Sequence, residues 1–162
     1  MASASKDRAL GEIDRIDRAI LAALQADGRL SNAQLSEKVN LSPSACHRRV
    51  RALEQSGLIR GYVALLDPRG MGRPVTVFVE ITLSGQADEL LDAFEAAVAR
   101  IPDVLECHLM AGTADYLLKV VARDSEDFAQ IHRRHLARLP GVQTMQSSFA
   151  LRTVRQTTAL PT

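Results

Sequence analysis

The chain is poor in cysteine: Cys46 and Cys107 are the only two among 162 residues, and they lie far apart. Two such thiols make neither a disulfide framework nor a zinc motif. No run of about 18 apolar residues occurs, so no membrane-spanning helix is expected. The opening residues Met1-Ala2-Ser3-Ala4-Ser5-Lys6-Asp7-Arg8 lack the apolar core of a signal peptide, and a cytoplasmic protein is the expectation. Neither sign of charge dominates, because 20 Lys/Arg stand against 19 Asp/Glu. A net charge of +1 excludes a protein that coats nucleic acid by bulk charge. No glycine-rich phosphate loop follows a strand-like run, and no Ser/His/Asp motif emerges. His132 and His135 stand three apart on a helical stretch and His108 on a strand-like one, without a carboxylate or cysteine cluster beside them. They read as surface or interface residues rather than metal ligands. Neither an enzyme nor a metal or cofactor protein is expected.

What is present is an uneven distribution of charge. Residues 1–66 carry ten Lys/Arg and seven Asp/Glu (+3), and residues 67–162 carry ten and twelve (−2). A mildly basic module is therefore followed by a mildly acidic one, in a length that suits one domain of ordinary size or two small ones. Hydrophobic residues make up 46% and charged residues 24%, a globular composition.

The basic half reads as three helices. Residues 1–11 are small and polar and are expected to form a flexible tail. Ile13, Ile16, Ile20 and Leu24 recur at helical spacing, which predicts a helix over about 12–26 that ends near Asp27-Gly28. Ser31 is placed to cap a second helix, with Gln34 where a capping box wants its Glu or Gln. Asn40-Leu41-Ser42 then turns the chain. Ser42 caps a third helix over 43–55 with Pro43 at its first position, and Ser56-Gly57 closes it. Leu35, Val39, Cys46, Val50 and Leu53 fall on the inward faces. Ser44, His47, Arg48 and Arg51 project elsewhere, near the start of the third helix. Two capped helices joined by a tight turn are the build of a helix-turn-helix DNA reader. Ser42 and Ser44, at a helix N-terminus, suit phosphate contacts. Arg48 and Arg51 suit guanine edges or phosphates, His47 either, and Asn32 a backbone anchor. Taken alone, Arg48, Arg49 and Arg51 read rather as a solvated helix face balanced by Glu54; the capped helix pair is what turns the reading towards DNA contact.

Residues 58–67 are strand-like, and Pro68-Arg69-Gly70-Met71-Gly72-Arg73-Pro74 supplies a turn-rich boundary, so 58–73 reads as a strand-like linker. Beyond it, Val75, Val77, Val79, Ile81 and Leu83 alternate with Thr76, Phe78, Glu80 and Thr82 as a strand. Leu90, Leu91, Phe94 and Val98 mark a helix closed by Ile101-Pro102. Strands over 104–111 and 116–121 follow, separated by the loop Gly112-Thr113-Ala114-Asp115. Phe128, Ile131 and Leu136 line a helix from Asp124-Ser125 to Leu139-Pro140-Gly141, and a last strand runs from Val142 to about Leu151. The order β-α-β-β-α-β predicts a ferredoxin-like sandwich, four antiparallel strands with both helices on one face. The uncovered face carries apolar residues such as Phe78, and Leu105, Cys107 and Leu109 oppose Met110 across their strand. A second subunit should bury that face, so a homodimer is expected. The whole chain reads as α+β: an N-terminal (winged) helix-turn-helix domain over 12–57 and a C-terminal ferredoxin-like βαββαβ domain over 74–155, with a C-terminal tail over 156–162.

These residues carry a resemblance over about 12–155. Ile16-Asp17-Arg18-Ala19-Ile20-Leu21, Leu41-Ser42-Pro43-Ser44-Ala45-Cys46 and Arg49-Val50-Arg51-Ala52-Leu53-Glu54 resemble the Lrp/AsnC (feast/famine) family of transcription regulators. So do Gly57-Leu58-Ile59 with Gly61-Tyr62, and Gly112-Thr113-Ala114-Asp115-Tyr116-Leu117-Leu118. Ser147-Ser148-Phe149-Ala150-Leu151 and Thr157-Thr158-Ala159-Leu160-Pro161 are similar to a branch tied to amino-acid catabolism. The resemblance implies that residues 74–155 are a RAM domain, the ligand-responsive module of these regulators, in dimers that assemble further, commonly to octamers. It also implies an amino-acid effector at contacts between dimers. Gly112, Thr113, Ala114, Asp115 and Tyr116 would contact it, with Asp115 facing its ammonium group, and Ser147 and Ser148 would line the same pocket. Thr113-Ala114 stand where relatives often carry acidic or aromatic residues.

The function expected is a sequence-specific regulator of double-stranded DNA, bound at a pseudo-palindromic operator and responsive to an amino acid or similar effector. The alternative is a nucleoid-like architectural DNA binder without a ligand.

Overall fold

The computed structural model describes residues 13–162. The expected tail over 1–11 lies outside them. The chain divides into two compact units, one ending at Ala64 and rejoined by residues 155–162, the other spanning residues 65–154.

The first unit holds α1 (Arg15–Ala26), α2 (Asn32–Lys38) and α3 (Pro43–Gln55). Each begins where a side chain accepts an amide that the helix itself leaves unpaired. Asp14 accepts the Asp17 amide at 2.8 Å and so starts α1. Ser31 and Gln34 form the reciprocal capping box of α2, and Ser42 accepts the Ala45 amide ahead of Pro43. Asn40 takes the left-handed conformation at φ 53° in the turn between α2 and α3. A short polar side chain makes that tolerable. The Leu41 amide reaches back to the Ser36 carbonyl at 2.9 Å and closes α2. Ile20, Leu35, Cys46 and Leu53 are buried at the centre, with Ile16, Leu24, Leu30 and Val50 packed around them. Burying each of the larger side chains is worth about 1.5–3 kcal/mol against about 1 kcal/mol for a cap. Packing therefore holds the helices together, and the caps set where each begins.

The stretch expected to be a strand-like linker forms no ladder within the described residues. Residues 58–66 are irregular and pair with no strand among the described residues. An isolated extended segment has no ladder to satisfy its amides and carbonyls. Leu58 and Ile59 pack on the helical core instead, and the Tyr62 hydroxyl donates to Glu54 at 3.1 Å.

The second unit holds β1 (Val75–Leu83), α4 (Asp88–Val98), β2 (Val104–Leu109), β3 (Tyr116–Ala122), α5 (Ser125–Arg134) and β4 (Val142–Phe149). A short 3-10 turn over Leu136–Arg138 continues α5, so the helix expected to reach Leu139 stops sooner. The sheet order is β2-β3-β1-β4, antiparallel throughout, which is the ferredoxin-like plan. Val77, Val79 and Ile81 of β1, and Tyr116, Leu118 and Val120 of β3, are buried with Phe94, Val98, Phe128 and Ile131 of the two helices. Gly141 has φ 72°, and a Cβ there would strike the Leu90 side chain, so only glycine fits the approach of β4 to α4.

The register sorts the exposed apolar residues by face. Phe78 lies opposite Lys119 and Ser148, on the face without helices. Glu106 on that face binds Lys119 at 2.7 Å and His108 at 3.3 Å. Leu109 and Cys107 pair with Tyr116 and Leu118 and so point to the helix side, at the edge of the sheet. Phe149 also stands on the helix side, edge-on to Phe128 with centroids 5.3 Å apart. The expected semi-apolar open face is thus narrower than the strand pattern suggests.

Asp127 organises one end of this unit. Its carboxylate takes Arg123 at 2.8 Å and Arg73 at 2.9 Å, and Arg73 also reaches Asp103 at 3.2 Å. The Arg123 guanidinium, then the Arg123 amide, hold the Asp127 carboxyl down at about 2 against an ordinary 3.8. A carboxyl depressed by folding adds stability above its unfolded pKa, and that stability is lost as pH falls through the folded value. Chemical-denaturation midpoints should therefore drop between about pH 4 and pH 2 in the native chain. Asp127→Asn should be less stable at pH 7, with the gap closing over that window; a constant gap down to pH 2 would contradict this role.

Candidate DNA interface and effector site

On α3, residues 44, 47, 48 and 51 follow i, i+3, i+4 and i+7, one face of a helix. Ser44, His47, Arg48 and Arg51 are all exposed. Among the described residues, no carboxylate pairs with Arg48 or Arg51. Glu54, which could have balanced them, instead accepts from Tyr62. The face is therefore cationic and uncompensated. Ser42 and Ser44 hydroxyls lie 3.3 Å apart at the helix start. Asn32 donates from Nδ2 to the Pro43 carbonyl at 2.8 Å, which draws the start of α2 to the first turn of α3. The structure thus brings Asn32, Ser42 and Ser44 to one end of the reader face.

Arg49 behaves differently from its neighbours. Its Nη1 lies 2.7 Å from Asp14 and 2.9 Å from Asp17, so it braces α3 against the start of α1. The Asp17 amide first, and then Arg49, hold the Asp14 carboxyl below its ordinary value. Sequence periodicity left Arg49 off the face of Arg48 and Arg51 but did not say what it pairs with. The signal was the pair of aspartates three apart at a helix start, which needs the fold to find its cation.

In the second unit the loop over 110–115 closes on itself and on β1. The Met110 amide donates to the Asp115 carbonyl at 2.8 Å, and the Asp115 amide donates to Ile81 at 2.9 Å. The Asp115 carboxylate accepts the Leu83 amide at 2.7 Å and Gln86 Nε2 at 3.0 Å. Gly112 and Thr113 are exposed, and Ala114 is half-buried. Tyr116 is buried against Phe94, ring centroids 4.4 Å apart, and its hydroxyl donates to Glu95 at 2.8 Å. Burial first, then the Glu95 carboxylate, push its phenol far above the ordinary value.

Ser147 and Ser148 are exposed but sit on opposite faces of β4, opposite Val79 and Phe78 respectively. β1 lies between β4 and the strand that follows the loop. Within one chain the two serines and the loop therefore do not share a pocket. A groove of about 390 Å³ does run between α4 and β2, lined by Glu95, Val98, Val104, Leu105, Leu109 and Tyr116. Only Tyr116 of the expected effector residues reaches it. Sequence reading missed Glu95 and Gln86, because nothing local links residue 95 to 116 or 86 to 115. Burial raises the Cys46 thiol, and partial desolvation at the sheet edge followed by the Glu95 charge raises Cys107, so both thiols resist ionising.

The comparisons with known proteins agree with both units. Residues 13–60 match a winged helix-turn-helix DNA-binding family, and residues 76–160 match the Lrp/AsnC ligand binding domain. The leucine-responsive regulatory protein of Salmonella typhimurium is 44% identical over 156 residues, covering 96% of this chain and 95% of that protein. The crystal structure of a transcriptional regulator from Neisseria meningitidis complexed with L-methionine matches with TM-score 0.87 and 40% identity, over 91% of this chain and 96% of that one. An AsnC family transcriptional regulator from Agrobacterium tumefaciens matches with TM-score 0.88 and 40% identity, over the same 91% and 96%. A helix-turn-helix reader joined to a ligand-binding α+β unit defines a DNA-binding, effector-responsive regulator of transcription. The chain belongs to the Lrp/AsnC family.

Proposed function

We propose that this regulator binds a pseudo-palindromic operator as a homodimer, assembled further towards an octamer, and that an amino acid tunes its assembly or its hold on DNA. The genes under its control are those of amino-acid metabolism, and it works in the cytoplasm. The observation that carries the reading is the uncompensated face of α3. Arg48 and Arg51 reach base edges or phosphates from it, His47 stands beside them on the same face, and the Ser42 and Ser44 hydroxyls donate to phosphate at the helix start. Asn32 steadies that end. A reader this small gains affinity and operator symmetry from a second copy, with half-sites about one helical turn apart or a multiple of it.

The effector unit supports the second copy in two ways. Its sheet leaves Phe78 and its neighbours on an uncovered face. The loop residues Gly112, Thr113, Ala114, Asp115 and Tyr116 and the serines Ser147 and Ser148 lie apart within one chain, so a pocket that uses both sets draws them from different protomers. Asp115 keeps lone pairs beyond those given to Leu83 and Gln86, and these suit an ammonium group. The relative crystallised with L-methionine supports an amino acid as the effector class.

Three measurements test the reading. In gel shifts over its own promoter, Arg48→Ala should lose about 1–3 kcal/mol of operator affinity together with sequence preference. Unchanged affinity and footprint would remove Arg48 from the interface, and sequence-tolerant binding with no amino-acid response would instead make this an architectural protein. Calorimetry against amino acids should show weaker binding by Asp115→Asn, which keeps an acceptor for the Leu83 amide but removes the charge. Equal binding by both proteins would refute the ammonium contact. Sedimentation at micromolar concentration should give a dimer or larger, and a stable monomer would sink the assembly.

A further inference from the structure

The chain contributes to the reader unit twice. After β4 it runs through residues 150–154, where Leu151 and Val154 stand out in solvent, and residues 155–162 then belong to the three-helix unit. One side chain fixes them there. Gln25, in the last turn of α1, donates from Nε2 to the Leu160 carbonyl at 3.0 Å and accepts the Leu160 amide at Oε1 at 2.6 Å. Both polar groups of a single residue 135 positions away are thus engaged by one carboxamide, as a neighbouring strand would engage them. Thr157 Oγ1 accepts the Ala159 amide at 3.0 Å and shapes the turn that presents Leu160. The Leu160 side chain is 74% exposed, so the attachment is polar rather than buried. Two solvent-exposed hydrogen bonds with no apolar burial behind them form a releasable contact.

The far end of the same helix holds the reader. α1 spans 12 residues, about 18 Å, and its first turn carries Asp14 and Asp17 against Arg49 of α3. A rigid helix therefore has the C-terminal segment on its last turn and the reader helix on its first. We propose that residues 155–162 are a regulatory strap: docked through Gln25, they give the end of β4 a second line to α1, and α1 passes the effector state to α3 through Arg49. This rests on the effector reading above, since β4 is the strand that carries Ser147 and Ser148. A contact held by exposed hydrogen bonds alone is weak enough for an effector to shift, and strong ties would leave nothing to regulate.

The test uses the full chain and its Gln25→Ala variant. Alanine at an exposed position near the end of a helix preserves the helix. A second variant, a chain ending at Arg155, removes the docked segment and leaves α1 untouched. Operator affinity is measured by fluorescence anisotropy without and with each of the standard amino acids, and amino-acid binding by calorimetry. The native chain should show a shift in operator affinity of about fivefold or more with its preferred amino acid. Both variants should bind that amino acid like the native chain and bind operator within about threefold of it when no amino acid is added, but their shift should fall below about twofold. Variants that keep the native shift overturn the strap. A native chain that neither binds nor answers to any amino acid overturns the effector reading, and the relay with it; binding that persists while only the variants lose their response isolates the strap.

Discussion

Asp14 does two jobs with one carboxylate, and the arrangement of the reader depends on it. One oxygen accepts the Asp17 amide and so fixes where α1 begins; the other holds Arg49 of α3. Asp17 adds a second carboxylate to the same guanidinium. Apolar packing would bring α1 and α3 together in any of several rotations, because Ile20, Cys46 and Leu53 are bulky but undirected. A charge-assisted bond has direction. The brace consumes one cation of α3, while among the described residues Arg48 and Arg51 have no carboxylate partner.

The second unit is governed by a different constraint, a sheet with helices on one face only. Alternation in β1 and β3 fills that face with Val77, Val79, Ile81, Leu118 and Val120, and the helices close it with Phe94 and Phe128. The edge strand β2 extends beyond the cover of α4, which leaves the groove floored by Tyr116 and Glu95. The opposite face holds a mixed set: Phe78 beside the Glu106–Lys119 pair. Charge partners placed among apolar side chains give a surface direction and register, where a purely apolar face would give only adhesion.

Family membership joins the two units functionally, and the fold adds a topological detail to that join. The three-helix unit receives chain from both ends of the sheet unit, and Gln25 holds the later arrival at Leu160. α1 then has polar fastenings at both ends and apolar packing along its middle. Such a helix moves as a body, because its internal hydrogen bonds cost more to break than either fastening.

Much of the architecture was written locally. Capping serines, a proline at a first helical position and glycines after last turns depend on neighbours within four residues, so Ser31–Gln34, Ser42–Pro43 and Gly57 are legible in the sequence itself. Period-two burial made β1 legible, and the order of elements gave the ferredoxin-like plan. The linker's strand-like pattern is a local propensity while a strand requires a partner, and 58–66 has none among the described residues. Arg49 and Arg48 are identical letters one residue apart; only the position of α1 makes the first a brace, while the second has no carboxylate partner among the described residues. Ser147 and Ser148 are neighbours in sequence, yet pleating sends adjacent side chains to opposite faces, and β1 stands between their strand and β3. Nothing in the sequence links Gln25 to Leu160. The sequence by itself determined the helices, the strands and the kind of protein, because these follow from short-range periodicity and capping. Only the tertiary structure decided which charges are spent and which are free, because pairing between residues 14 and 49, 25 and 160, or 86 and 115 is a matter of distance in space.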